Sequence, residues 1–160
     1  MSSCRKVLFI CKENVCRSIM AEAILNAVKG DRPLTVASRG LVVLFPEPLN
    51  PKAVAVLKGN EMEPSKEYSE EFVPEVDVTE GTLILTMSEQ EKKQVLKSAR
   101  RFGAPAEVYT LGEYAGEKTD VNSPYGGTLA DYGAYYEYID ILVKMAAEKL
   151  FNKLDKEEEE

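Results

Sequence analysis

Residues 7–18 read VLFICKENVCRS, an apolar run followed at once by a loop and the start of a helix. Residues 7–10 show no polar alternation, which is typical of a strand buried on both faces of a parallel sheet. Residues 18–29 carry an apolar stripe at helical spacing, with Ser18 as a candidate N-cap and Gly30 as a stop signal. The stretch therefore predicts a strand, a short connecting loop and a helix, with the loop beyond the carboxyl end of the strand.

Strands and helices alternate along the rest of the chain. Further strands are predicted at residues 34–38, 82–87 and 107–111, and further helices at 51–59, 88–99 and from 128 onward. Residues 61–80 are acidic and carry only a weak helix signal at 69–72. This alternation predicts an α/β fold with a doubly wound, four-stranded parallel sheet and helices on both faces. We expect a single domain over residues 1–154 and an acidic tail, 155–160, that frays.

Charge and length exclude several classes of protein. The chain has 160 residues and a formal net charge of −7, whereas nucleic-acid binding relies on clustered lysine and arginine. The first apolar run has four residues, too few for a signal peptide or a membrane span. We therefore expect a cytoplasmic protein that binds neither nucleic acid nor membrane.

Histidine is absent from the sequence, and only three cysteines are present. An odd cysteine number in a reducing compartment argues against a disulfide framework. The lack of histidine excludes Ser-His and Cys-His pairs and most zinc sites. A nucleophile in this chain must therefore be activated by other means.

Cys11 and Arg17 are separated by five residues in the loop after the first strand. Backbone N–H groups of such a loop can form a nest for a tetrahedral dianion such as inorganic phosphate, and the helix dipole favours the same charge. Arg17 can bind two phosphate oxygens with its planar fork, and the positive cup favours a thiolate at Cys11. This chemistry requires no metal or cofactor.

The predicted anion-binding residues are Lys12, Glu13, Asn14, Val15, Cys16 and Arg17. The plainer alternative is a buried strand-end cysteine and a surface arginine.

Several motifs resemble those of the low-molecular-weight protein tyrosine phosphatases. VLFIC and NVCRS, with MAE at residues 20–22, resemble the active-site loop and first helix of that family. The protein-arginine phosphatases and thioredoxin-coupled arsenate reductases are similar. The resemblance continues in SRG at 38–40, MS at 87–88 and PYGG at 124–127.

The resemblance implies a role for each matching residue. Cys11 would be the nucleophile and Arg17 the phosphate clamp. Asn14 would hold the loop in a left-handed turn, Ser18 would hydrogen-bond the thiolate, and Ser38 would support Asn14.

Three positions depart from the family pattern. Glu13 replaces a glycine, which should weaken phosphate binding unless its side chain faces solvent, and would strain the loop at positive φ. Ile19 replaces a proline. Ser123 stands immediately before Pro124, where the family has its aspartate general acid, and a hydroxyl cannot replace a carboxylic acid. Either the enzyme is weakened, or Asp120 is the acid, or the serine was introduced by engineering.

The remaining candidates concern redox protection and the pocket wall. By resemblance, Cys16 could form a protective disulfide with Cys11; packing as a small residue is the alternative. Leu44, Phe45 and Tyr125 are candidates to line the pocket, and core packing is the alternative for Leu44 and Phe45.

Hydrolysis of protein phosphotyrosine through a cysteinyl-phosphate intermediate is the leading functional prediction. Arginine-phosphate hydrolysis is the nearest alternative, because the family uses threonine at the position of Val15 for phosphoarginine and a larger aliphatic residue for phosphotyrosine. Arsenate reduction would need a further cysteine after Cys16, and none follows. A weakly catalytic module that binds phosphoproteins is favoured by Glu13 and Ser123. The joint presence of Cys11, Asn14, Arg17 and Ser18 favours an enzyme, since binding alone does not require a nucleophilic sulfur.

Overall fold

The computed structural model describes residues 3–103, 106–124 and 126–159. Its strands are β1 (Lys6–Cys11), β2 (Thr35–Gly40), β3 (Thr82–Thr86) and β4 (Glu107–Thr110). Its helices are α1 (Arg17–Lys29), α2 (Pro51–Gly59), α3 (Pro74–Asp77), α4 (Glu89–Arg101), α5 (Leu111–Ala115) and α6 (Leu129–Glu158). Within these residues, no helix combines the length and apolarity needed to cross a membrane.

The four strands form one parallel sheet in the order β2-β1-β3-β4. At the carboxyl end of β1, Ile10 lies between Arg39 of β2 and Thr86 of β3. The predicted α/β fold with a four-stranded parallel sheet is therefore confirmed. Because β1 is an interior strand, the loop that follows it leaves from the middle of the carboxyl edge, where ligands bind in such folds.

Side chains of β1 alternate between two apolar cores, one on each face of the sheet. Phe9 packs in the larger core, with apolar residues of α1, α2, α5 and α6. Leu8 and Ile10 pack in the smaller core with Val95 of α4. Burying one such side chain fully stabilises the fold by about 1.5–3 kcal/mol. Helices cover both faces, as predicted, and fix the position of β1 from both sides.

Helix α1 begins at Arg17, one residue earlier than predicted, and Ser18 is not its N-cap. Cys16 occupies the cap position, and within the described part of the chain no side chain caps the helix. The Ser18 hydroxyl instead bonds to neighbours in the loop. The prediction failed because a serine at a helix start is equally suited to capping and to tertiary bonding.

Two further predictions, a helix at 69–72 and the end of the fourth strand, were also wrong. The expected helix at 69–72 is absent from the described structure, and a single turn, α3, follows at Pro74–Asp77. Its start is fixed by Asp77, whose Oδ2 accepts from Val73 N at 2.8 Å. The fourth strand ends at Thr110, not at residue 111, because Thr110 and Glu113 form a capping box that starts α5.

The expected acidic tail begins within helix α6. Helix α6 continues through Glu158, and both Asp155 carboxylate oxygens accept hydrogen bonds from Arg32, at 3.0 and 3.3 Å. The Arg32 guanidinium also lies 4.3 Å from the centroid of the Phe151 ring. These contacts attach the last turns of α6 to the segment before β2.

Candidate active site

The loop from Cys11 to Arg17 is held against the continuation of β2. Leu41 N donates to Cys11 O at 3.1 Å and Val42 N donates to Lys12 O at 2.8 Å. A Cβ added at Gly40 would lie 2.9 Å from the carbonyl carbon of Glu13, so this close approach requires glycine. The backbone of the loop is therefore positioned by the sheet itself.

Two polar groups lie within hydrogen-bonding distance of the Cys11 sulfur, which belongs to a residue only 2% exposed. The Ser18 hydroxyl lies 2.9 Å from Cys11 Sγ, and the backbone N–H of Asn14 donates to the sulfur at 3.2 Å. The sulfur is therefore held between its own loop and the first turn of the helix that follows.

Asn14 organises the loop from its centre and is fully buried. Its φ is 59°, a left-handed conformation that asparagine tolerates better than most residues. Its Nδ2 donates to Ser18 Oγ at 2.8 Å and to Ser38 Oγ at 3.0 Å. Its Oδ1 accepts from Glu70 N at 2.9 Å. The Asn14 side chain thus contacts both Ser18 and Ser38, and Ser18 also lies beside the Cys11 sulfur.

Glu22 extends this network, and the sequence alone did not reveal it. The carboxylate is 4% exposed and accepts hydrogen bonds from the hydroxyls of Ser38, at 2.5 Å, and of Ser65. A hydrogen-bonded chain therefore runs from Glu22 through Ser38, Asn14 and Ser18 to the sulfur. The sequence feature that could have predicted this role is the spacing of four residues between Ser18 and Glu22, which places both on the same face of α1.

The Arg17 side chain is held by two groups from outside the loop. Its Nη1 donates to Val121 O at 2.9 Å, and its Nη2 donates to Glu91 Oε2 at 3.2 Å. Burial raises the pKa of the Glu91 carboxyl, and the Arg17 charge and the Ser88 hydrogen bond oppose that rise. Glu91 could not be assigned from the sequence, because an acid in the first turn of a helix is ordinary.

A narrow cleft opens over the sulfur. Its lining consists of loop residues and residues from three other segments: Cys11, Glu13, Asn14, Val15, Cys16, Arg17, Asn50, Ser123 and Tyr132. Asn50 and Tyr132 were not predicted, and Asn50 Nδ2 donates to the Tyr132 hydroxyl at 3.0 Å. Asn50 also caps α2, so its orientation is fixed by a helix start.

Glu13 is exposed, and its φ is not positive, so the strain considered for this position does not arise. Leu44 and Phe45 are 89% and 64% exposed; they pack in neither core and do not line the cleft. Tyr125 lies outside the described residues.

The two candidate acids have different surroundings. Ser123 lines the cleft with the sulfur, whereas Asp120 is absent from the lining that the structure describes. Asp120 Oδ1 accepts from Glu89 N at 3.1 Å, at the start of α4. The carboxylate therefore interacts with a helix N-terminus, where a negative charge is stabilised.

Cys16 is a buried free thiol with 8% exposure. Burial, followed by the neighbouring Cys11 charge, raises the pKa of the Cys16 thiol to about 12. At neutral pH this sulfur is protonated and a poor nucleophile.

Comparison with known proteins identifies similar sequences and structures. The family described as "Low molecular weight phosphotyrosine protein phosphatase" matches residues 6–160. The low-molecular-weight protein-tyrosine-phosphatase PtpB of Staphylococcus haemolyticus is 30% identical over 141 residues, covering 86% of this chain and 94% of the relative.

Two solved structures have the same fold. The YwlE arginine phosphatase from Geobacillus stearothermophilus superimposes with a TM-score of 0.82 at 26% identity, covering 94% of this chain and 96% of the other. A low-molecular-weight protein tyrosine phosphatase from T. tengcongensis superimposes with a TM-score of 0.77 at 28% identity, covering 90% of this chain and 98% of the other.

Proposed function

Because the chain belongs to the low-molecular-weight protein-tyrosine-phosphatase family, we propose that it hydrolyses protein phosphotyrosine through a cysteinyl-phosphate intermediate. The observation that carries the proposal is the sulfur of Cys11, with donors from Ser18 and Asn14, at the base of a cleft that Arg17 also lines. An oxyanion such as inorganic phosphate would occupy the same loop.

The reaction would proceed in two displacements. The Cys11 thiolate attacks phosphorus, a sulfur–phosphorus bond forms, and the bond to the tyrosine oxygen breaks with its electron pair on that oxygen. Water then attacks the phosphorus, releases inorganic phosphate and returns the sulfur as a thiolate. Arg17 and the loop amides would stabilise the charge on the equatorial oxygens in both steps. A reduced thiol is essential, so we place the protein in a reducing compartment such as the cytoplasm.

Phosphoarginine is the second candidate substrate. One similar solved structure is an arginine phosphatase, and Val15, the residue expected to discriminate, lines the cleft. Valine has the shape of threonine but offers no hydroxyl, which favours phosphotyrosine. Rates on matched phosphotyrosine and phosphoarginine peptides, compared for the wild type and Val15→Thr, separate the two. A wild type that prefers phosphoarginine would contradict the proposed substrate.

Because Ser123 occupies the position of the general acid, the proposed enzyme should hydrolyse phosphotyrosine slowly. Tyrosine leaves with a pKa of about 10, and a positioned acid typically contributes 10²- to 10⁴-fold to such a departure. The Asp120 carboxylate accepts a hydrogen bond at the start of α4. This contact favours an enzyme without a general acid over one in which Asp120 is the acid. In the limit of very slow turnover, the protein would act as a phosphoprotein-binding module.

Hydrolysis of nitrophenyl phosphate tests the proposal, because its leaving group needs little protonation. The wild type should release nitrophenolate, and Cys11→Ser should release none above the buffer blank. Cys16→Ser is the matched control, since it makes the same chemical change in the same loop at a protonated thiol. Retained turnover in Cys11→Ser, or equal loss in both variants, would contradict a Cys11 nucleophile.

A further inference from the structure

Glu91 is a buried carboxylate beside an anion-binding loop, where a negative charge is unexpected. It is the third residue of α4, directly beyond β3, and β3 pairs with the strand that carries Cys11. The Glu91 side chain is 8% exposed and the Arg17 side chain 11%. A negative charge at this position repels a phosphate dianion. We expect it only where it also stabilises another group of the site.

The contacts of Glu91 are unevenly distributed over its two oxygens. Oε2 accepts from Arg17 Nη2 at 3.2 Å. Oε1 is buried and has no hydrogen-bond partner among the described residues. The Ser88 side chain and the Lys12 backbone also hydrogen-bond to the Glu91 carboxylate and favour its charged form. Arg17 is the cation paired with this carboxylate, so the ion pair is the contact that a role for Glu91 must explain.

Arg17 is held from two directions, by Glu91 on one terminal nitrogen and by Val121 O on the other. A guanidinium carries five N–H donors, and these two bonds leave three for a ligand. A free arginine side chain has about 2 kcal/mol of rotamer entropy, which a ligand would otherwise have to overcome. Holding the terminal nitrogens beforehand presents the remaining donors in a fixed direction.

We propose that Glu91 is a positioning residue that orients the Arg17 fork for the transition state of phosphoryl transfer. The inference rests on the proposed phosphatase function. Misplacing a catalytic group by about 1 Å can cost about 10²-fold in rate. Glu91 thus acts through Arg17, and its charge is tolerated beside the phosphate because Arg17 lies between them.

Kinetics with nitrophenyl phosphate test this role. Glu91→Ala should lower kcat about 10- to 100-fold with little change in KM, because orientation matters most in the transition state. Glu91→Gln, which keeps an acceptor of the same shape, should lose less. Glu89→Ala is the control, because it removes an exposed acid from the same helical turn and should leave kcat unchanged.

A double-mutant cycle with Arg17→Lys distinguishes positioning from general structural support. In the Arg17→Lys background, Glu91→Ala should cost almost nothing more, because the fork that Glu91 orients is already absent. An equal cost in both backgrounds, or an unchanged kcat in Glu91→Ala, would overturn the proposal.

A spectroscopic measurement is independent of turnover, so it remains decisive if the wild type hydrolyses no phosphomonoester. The side-chain Nε–H resonance of Arg17 is identified as the one missing in Arg17→Lys. It should be sharp in the wild type and broadened in Glu91→Gln and Glu91→Ala. If the resonance is unchanged in both variants, Glu91 does not hold Arg17. Absence of wild-type turnover with broadening in the variants would reject the phosphatase function alone.

Discussion

The loop that we propose binds phosphate, called here the phosphate-binding loop, and the loop of the two candidate acids, called here the acid loop, differ in the burial of their key side chains. In the phosphate-binding loop, residues 11–17, the central Asn14 is fully buried and its side chain is bonded to three neighbours. In the acid loop, residues 119–124, Asp120 and Ser123 are exposed. The first loop has Cys11, Asn14 and Arg17 as expected, with Glu13 as its departure, whereas the second has Ser123 where a carboxylic acid is expected. We therefore expect binding and cleavage of a phosphoryl group to be separable in this protein.

Restoring the acid should produce the largest change. We expect Ser123→Asp to raise the phosphotyrosine rate about 10²- to 10⁴-fold, because the tyrosine oxygen then receives a proton as it leaves. The rate on nitrophenyl phosphate should change little. Steady-state kinetics on both substrates measure the difference.

Asp120→Asn is the control for this prediction, since it removes the other candidate acid. It should leave phosphotyrosine turnover unchanged. If instead Asp120→Asn abolishes turnover while Ser123→Asp has little effect, Asp120 is the general acid. The acid loop then lacks no catalytic group.

Arg17→Lys tests the phosphate-binding loop and should have the next largest effect. Lysine keeps the charge but loses the bidentate fork, and loss of such a transition-state donor costs about 10²- to 10³-fold in kcat. Near-normal kcat with nitrophenyl phosphate would show that a point charge is sufficient there.

The support of the phosphate-binding loop can be measured as stability. Asn14→Gly keeps the positive φ but removes the side-chain bonds, and should lower the free energy of unfolding by about 2–3 kcal/mol. Glu61→Gly is the matched control, because Glu61 also has a positive φ, 60°, and is exposed. Relief of backbone strain there should raise stability by up to about 1 kcal/mol. Urea unfolding of both variants gives the comparison; equal effects would mean that Asn14 supplies only its backbone conformation.

The smallest effect is expected at Cys16. Its raised pKa, about 12, keeps the thiol protonated through the neutral range, so Cys16→Ala should leave kcat unchanged. In the folded Cys11→Ser protein, iodoacetate should not label Cys16 at neutral pH, and unfolding in denaturant should expose it. Rapid labelling of Cys16 in the folded protein would contradict its buried, protonated state.

The sequence predicted those features that depend on local pattern. Apolar strands, the helix at 51–59 and the strand-loop-helix unit around Cys11 are all encoded within short windows, and the structure contains them. Glu91 and Glu22 could not be assigned, because their partners come from distant segments and both resemble ordinary helix acids. Residues 65–72 escaped prediction for the same reason: their backbone groups bond to distant segments, among them Asn14, Gly40 and Glu47.

The interior position of β1 has a consequence for folding kinetics. Its residues pair with β3, where Phe9 meets Leu85, a contact between segments far apart in sequence. Such non-local contacts form slowly, since a long chain segment must be closed first. We therefore expect the loop after β1 to acquire its shape only when the sheet is nearly complete, and the proposed activity to return with the slowest refolding phase. Inorganic phosphate, the proposed ligand of the assembled loop, should slow unfolding without accelerating folding.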